Sequence, residues 1–144
     1  MIYIGIDPGL SGAVAWTRDN VTESISWDNL SCKNFIEQIS TQETRCVIEK
    51  VGGYVGKNQP GSRMFSFGQN YGTWLGWLQM AHIPFIEVRP QEWQKGLTGL
   101  AKLVGTKRKG RLKEIAQARF PTKKVTLKNA DALLLTVYAK KYYV

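Results

Sequence analysis

Ile2-Tyr3-Ile4-Gly5-Ile6-Asp7-Pro8-Gly9-Leu10-Ser11-Gly12-Ala13 is the stretch from which the rest of the chain can be read. Ile2, Ile4 and Ile6 alternate with Tyr3, Gly5 and Asp7. A period of two is that of a strand, so Met1 to Asp7 reads as one. Pro8 to Gly12 is turn chemistry, and Ala13 to Thr17 reads as a second strand. Asp19-Asn20 is a further turn pair, and Val21 to Trp27 alternates again. Three short strands joined by tight turns predict an antiparallel meander.

Asp28 or Ser31 can cap a short helix running to about Ile39, with Phe35, Ile36 and Ile39 on one side. Arg45 to Val51 is a fourth strand, apolar but for Glu49. Residues 52–68 carry five glycines and Pro60 and read as a long loop, a length that compact domains usually reserve for function. A helix is expected from near Gln69 to His82, ended by Pro84, and Phe85 to Arg89 is a fifth strand. Pro90 suits the first position of a short helix containing Trp93, and residues 98–110, rich in Gly and Lys, read as loop. Arg111 to Phe120 and Ala130 to Tyr143 complete the expected helices, with Pro121 between them. The order predicts an α/β chain. Its sheet is mixed and five-stranded, an antiparallel meander then parallel strands, with helices on both faces.

A length of 144 residues with 43% hydrophobic content predicts one domain, residues 1–144, with a core of its own. Cys32 and Cys46 fit neither a disulfide framework nor metal-finger spacing and read as reduced thiols. No secretion signal and no run approaching a membrane span is visible, so the expectation is an intracellular protein with no membrane partner. The formal charge of +9 is lopsided. Residues 1–88 hold six Lys/Arg against eight Asp/Glu, and residues 89–144 hold fourteen against three. Cations this crowded favour a polyanion, and nucleic acid is the commonest one. A merely solubilising basic face is the alternative.

Three acids stand in apolar company. Asp7 ends one strand, Glu49 follows Cys46-Val47-Ile48 in another, and Asp131 opens an apolar helix. A lone buried carboxylate costs several kcal/mol unless it is paired or binds a metal. Each has a structural alternative: Asp7 as a turn-holder, Asp131 as a helix-start residue and Glu49 in an ion pair. Together they suit hard cations with oxygen ligands. Two Mg²⁺ ions about 4 Å apart would then serve phosphodiester hydrolysis. Asp7 is the natural bridging ligand, with Glu49 on one ion and Asp131 on the other.

Five segments, in this order, resemble RuvC-type Holliday junction resolvases, especially their phage and organelle branches. They are Ile4 to Ala13, Val47-Ile48-Glu49, Phe67 to Gly76, Val88 to Lys95 and Ala130 to Leu134. The resemblance implies an RNase H-like fold and a homodimer that places paired nicks in a four-way DNA junction. It implies Mg²⁺ dependence, with Mn²⁺ as a substitute, roles in DNA recombination and repair, and Asp7, Glu49 and Asp131 as catalytic metal ligands. The setting it implies is a bacterial cytoplasm or a virus-infected cell. One departure stands out. The family has a further Asp or His three or four residues before the last acid, where this chain has Lys128 and Leu127. Water, Asn129 or another side chain would complete the shell, and Lys128 becomes a candidate modulator of the site.

The remaining candidates are DNA contacts. Lys57, Arg63, Phe65 and Phe67 follow the second acid; Phe65 or Phe67 is a candidate to stack on bases opened at the crossover, the alternative being aromatics folded back onto the core. Lys107, Arg108, Lys109, Arg111 and Lys113 are expected on phosphates of the junction arms, and a lysine near the metals would stabilise charge on the scissile phosphate. Gly72 and Gly76 would allow a close helix–helix approach, as in a two-fold dimer, with an ordinary intramolecular core helix as the alternative. His82 is expected to be structural. Competing readings are a nuclease-weak junction-binding protein, a nuclease of broader branched substrates, and a sugar-kinase or actin-like ATPase whose phosphate loop Ile4 to Gly12 resembles. The ATPases are far longer and need nucleotide motifs absent from this chain.

Overall fold

The computed structural model describes residues 1–52 and 61–143. Strands β1 (Ile2–Asp7), β2 (Ala13–Arg18), β3 (Val21–Ser26), β4 (Thr44–Glu49) and β5 (Phe85–Val88) form one sheet in the order β3-β2-β1-β4-β5. β1, β2 and β3 are antiparallel neighbours, whereas β4 and β5 add parallel to β1, so the sheet is mixed as expected. The helices are α1 (Asn29–Ile39), α2 (Gly61–Met80), α3 (Pro90–Trp93), α4 (Gly105–Arg119) and α5 (Ala130–Tyr142).

Strand alternation divides the core in two. Ile2, Ile4, Ile6, Val14, Cys46 and Ile48 face one way and pack with Phe35, Ile36, Trp74 and Leu78 of α1 and α2. Ala13, Ala15, Val47 and Val88 face the other way and pack with Leu112, Ala116, Leu133 and Leu135 of α4 and α5. Asp28 caps α1, accepting from the Ser31 amide at 2.9 Å. Cys32 and Cys46 are buried and unpaired, and burial pushes both thiols up. His82 adopts φ 55° just past α2, a left-handed helix end. No helix among the described residues is long and apolar enough to cross a membrane.

Two segments read as loops are helical. α2 starts at Gly61, inside the stretch expected to be loop, and α4 starts at Gly105 rather than near Arg111. Glycine misled the reading. Gly61 and Gly68 face open space, where glycine costs only about 1 kcal/mol relative to alanine. The stripe Asn70, Trp74 and Leu78, buried against the sheet, outweighs that cost. In α4, Leu112 and Ala116 anchor a helix that is otherwise polar.

Candidate metal centre

β1 and β4 lie parallel with Ile6 opposite Ile48, so their next residues, Asp7 and Glu49, end the two strands side by side. Alternation puts both on the face of Gly5 and Val47, the face that α5 covers. Gly5 sets how near α5 comes. A Cβ there would stand 2.7 Å from Leu135 Cβ and 2.8 Å from the Thr136 amide, so only glycine admits the helix. Asp131 lies four residues before Leu135, about 6 Å along the helix, while Asp7 lies two residues beyond Gly5, about 6.6 Å along the strand. Close packing at Gly5 therefore delivers Asp131 over Asp7. One carboxylate oxygen from each of Asp7, Glu49 and Asp131 lies within 4.8 Å of the other two.

The electrostatics of this trio are unfavourable by themselves. Burial, then the charges of Asp131 and Glu49, raise the Asp7 carboxyl well above its ordinary range. Burial pushes Glu49 up to about 7, against the opposing pull of a hydrogen bond from Trp93, with Asp131 raising it further. Burial likewise pushes Asp131 up to about 6. The Lys109 ammonium on α4 acts on all three in the opposite sense. Three half-buried oxygen donors with no nitrogen or sulfur among them fit a hard divalent cation, which would relieve this mutual repulsion.

The surroundings hold the donors in place. Trp93 Nε1 donates to Glu49 Oε2 at 2.8 Å from a buried position on α3. The turn after Asp7 is tied to α2, because the Gly9 amide donates to Asn70 Oδ1 at 2.7 Å. Gly9 has φ 116°, and a Cβ there would meet the Phe67 ring at 3.1 Å. Asn70 Nδ2 is buried and has no partner among the described residues.

Neither a protein-family model nor a curated protein sequence matches the chain. Solved structures do. Thermus thermophilus RuvC is 18% identical over 94% of this chain and 92% of its own, with a TM-score of 0.53. T. thermophilus RuvC in complex with Holliday junction substrate is 16% identical over 99% and 94%, with a TM-score of 0.58. The fold is that of RuvC. It is also the RNase H-like architecture that the sequence resemblance implied.

On this RuvC fold the other candidate residues fall into several groups. Lys107, Lys109 and Lys113 are exposed along α4, and Lys109 is the one placed to act on the acids. Arg111 pairs with Glu114 at 3.1 Å. Arg108 is turned inward. Its Nε and Nη2 donate to Gln94 Oε1 at 2.9 and 2.6 Å, and Nη1 donates to the Leu100 and Leu103 carbonyls at 2.9 and 3.2 Å. It clasps the segment before α4 and has few donors left for DNA. Arg63 and Phe65 are exposed in the first turns of α2, with Phe65 68% accessible, whereas Phe67 is half-buried against Gly9. Lys57 lies outside the described residues. Lys128 is exposed ahead of α5.

Asn129 does not complete a metal shell. Its Oδ1 accepts from the Thr126 amide at 2.8 Å, and its Nδ2 donates to the Lys124 carbonyl at 3.1 Å and to Ser24 Oγ at 3.3 Å. Both amide donors and one acceptor position are thus committed to the loop before α5 and to Ser24 of β3. The parts that sequence reasoning missed are Trp93, Asn70 and the special place of Lys109. None has a local signature, since each acts through a contact with a segment distant in the chain.

Proposed function

We propose that residues 1–144 are one nuclease domain that hydrolyses phosphodiester bonds in four-way DNA junctions, acting as a homodimer that nicks paired strands. The carrying observation is the meeting of Asp7, Glu49 and Asp131 within 4.8 Å where β1 and β4, inner strands of a RuvC-like sheet, end. These three residues would hold Mg²⁺, or Mn²⁺ in its place. The cation, when bound, lowers the pKa of an attacking water and stabilises the leaving 3′ oxygen.

The chain's own groups prepare that chemistry. Trp93 fixes the orientation of Glu49, whose other carboxylate oxygen would be available as a ligand. Asn70 and Gly9 hold the turn behind Asp7, keeping the strand end rigid. Lys109, exposed beside the acids, is the group on hand to meet a phosphate oxygen as charge develops. Exposed Phe65 offers a stacking surface for an opened base.

Two further points support a junction as substrate. The RuvC that this chain resembles has been solved with a Holliday junction substrate. On α2, Gly68, Gly72 and Gly76 have nothing within 4 Å of where a Cβ would stand, leaving a smooth stripe for a second copy. A second reading, a junction binder with feeble cutting, is favoured by one observation: Asn129 is occupied elsewhere, so the site has three acids.

The test is a panel of end-labelled four-way, three-way, flap and linear DNAs, each with Mg²⁺, with Mn²⁺ and with EDTA. Symmetric nicks confined to the four-way junction and abolished by EDTA are expected. Tight junction binding with no cutting under any cation supports the second reading, and equal cutting of linear duplex removes junction selectivity.

A further inference from the structure

The cations of residues 89–144 are not all near the acids. Both helices start beside the trio: α5 carries Asp131 in its first turn, and α4 is tied by Arg108 to Gln94, next to the Trp93 that holds Glu49. Both end at one groove of about 690 Å³, which is also walled by the β2–β3 turn. Arg119, Lys123, Lys140 and Lys141 line this groove, together with Thr22 and Thr122. From Lys109 to Arg119, and from Asp131 to Lys141, each helix rises about 15 Å. The groove is thus a separate place at the far end of the helix pair.

Much of this charge has a local explanation, and the amount left over decides the matter. Lys123 pairs with Glu23 at 2.9 Å. The C-terminal dipoles of α4 and α5 together offset about one further unit of positive charge. Arg119, Lys140 and Lys141 are exposed and have no carboxylate partner among the described residues. About two positive charges remain unbalanced beside the exposed Thr122, a combination suited to phosphate diesters.

We propose that this groove is a second nucleic-acid contact, taking the phosphate backbone of a DNA duplex whose nearer end lies at the acids. A duplex advances about 3.4 Å per base pair, so about 15 Å spans four to five base pairs. Exposed Lys113 lies one helical turn beyond Lys109 on the way. The groove therefore measures the arm leaving the cutting point and favours substrates with several paired bases on that side. This proposal rests on the reading of the substrate as DNA.

The experiment is equilibrium binding of the full chain, in EDTA so that nothing is cut, to a labelled four-way junction and a 24-base-pair duplex over a range of salt. The triple variant Arg119→Ala/Lys140→Ala/Lys141→Ala is compared with wild type and with Lys33→Ala on α1. The triple variant should bind about 10–100-fold more weakly and lower the log–log salt slope by about two to three, while Lys33→Ala changes neither. The charge-keeping variant Arg119→Lys/Lys140→Arg/Lys141→Arg should retain the slope. If the neutral triple does not fold, Lys140→Ala alone should lower it by about one.

An unchanged slope and affinity in a folded triple variant overturns the proposal. So does competition by inorganic phosphate matching that by duplex, which would make the groove a small-anion site. Loss of polyglutamate binding with DNA binding intact also overturns it, pointing to an acidic protein partner. Failure of the nuclease reading is separable: wild type would cut nothing in Mg²⁺, yet the triple variant would still lose duplex affinity.

Discussion

The two ends of the α4–α5 pair place charge in opposite ways. At the starting end, Asp7, Glu49 and Asp131 crowd half-buried, and burial raises all three carboxyls out of their ordinary range. At the finishing end, Arg119, Lys140 and Lys141 sit in solvent, where the helix dipoles welcome cations. The first arrangement opposes folding and calls for a ligand. The second is cheap, and only its surplus over dipoles and ion pairs carries information. Charge kept against its cost is the stronger sign of function.

The largest effect expected is at the costly end. On the proposed function, in which Asp7 is the central cation ligand, Asp7→Asn should slow junction cutting by about 10³-fold or more, while junction affinity measured in EDTA stays the same or rises. Ordinary cutting by this variant would dissolve the contrast between the ends. At alkaline pH the same substitution should raise the melting temperature of the metal-free protein, because one buried repelling charge is gone.

Next comes Lys109→Ala. Turnover should fall about 10–100-fold, and the Mg²⁺ concentration for half-maximal rate should fall too, because the ammonium no longer competes with the cation for the acids. A lower rate with unchanged Mg²⁺ dependence would place Lys109 in DNA binding alone.

Gly5→Ala tests how the acids are brought together. Its methyl would collide with Leu135 Cβ at 2.7 Å, and the resulting strain is about 3 kcal/mol. The melting temperature should drop by about 10 °C, and cutting should fall with it as Asp131 moves off Asp7. A variant with normal melting would show that α5 does not rest on this glycine.

The smallest effect is in pH and metal. Glu49, raised to about 7, and Asp131, raised to about 6, hold protons more tightly folded than unfolded. The metal-free protein should therefore lose stability as pH rises from the ordinary carboxylate range through about 7. Mg²⁺ should raise the melting temperature by a few degrees at pH 8 and far less at pH 5. An equal gain at both values would place the cation elsewhere.

The three acids were legible because each interrupts an apolar run that had no other use for a charge. The β-meander, the cap at Asp28 and the parallel continuation were legible because strand period and turn chemistry are local. The first turns of α2 and α4 were not, because solvent-facing glycines resemble breakers until the buried stripe that overrides them is seen.

The amino-acid sequence by itself determined which acids stand in apolar company, the order of the elements and the surplus of positive charge in residues 89–144, all properties of composition and short-range pattern. Tertiary structure alone decided that Asp131 reaches Asp7, that Trp93 holds Glu49, that Arg108 and Asn129 are spent on loops, and that a basic groove stands about 15 Å from the acids. Those facts depend on how closely a helix can approach a strand and on which distant donor finds which acceptor, and packing settles both only once the whole chain is in place.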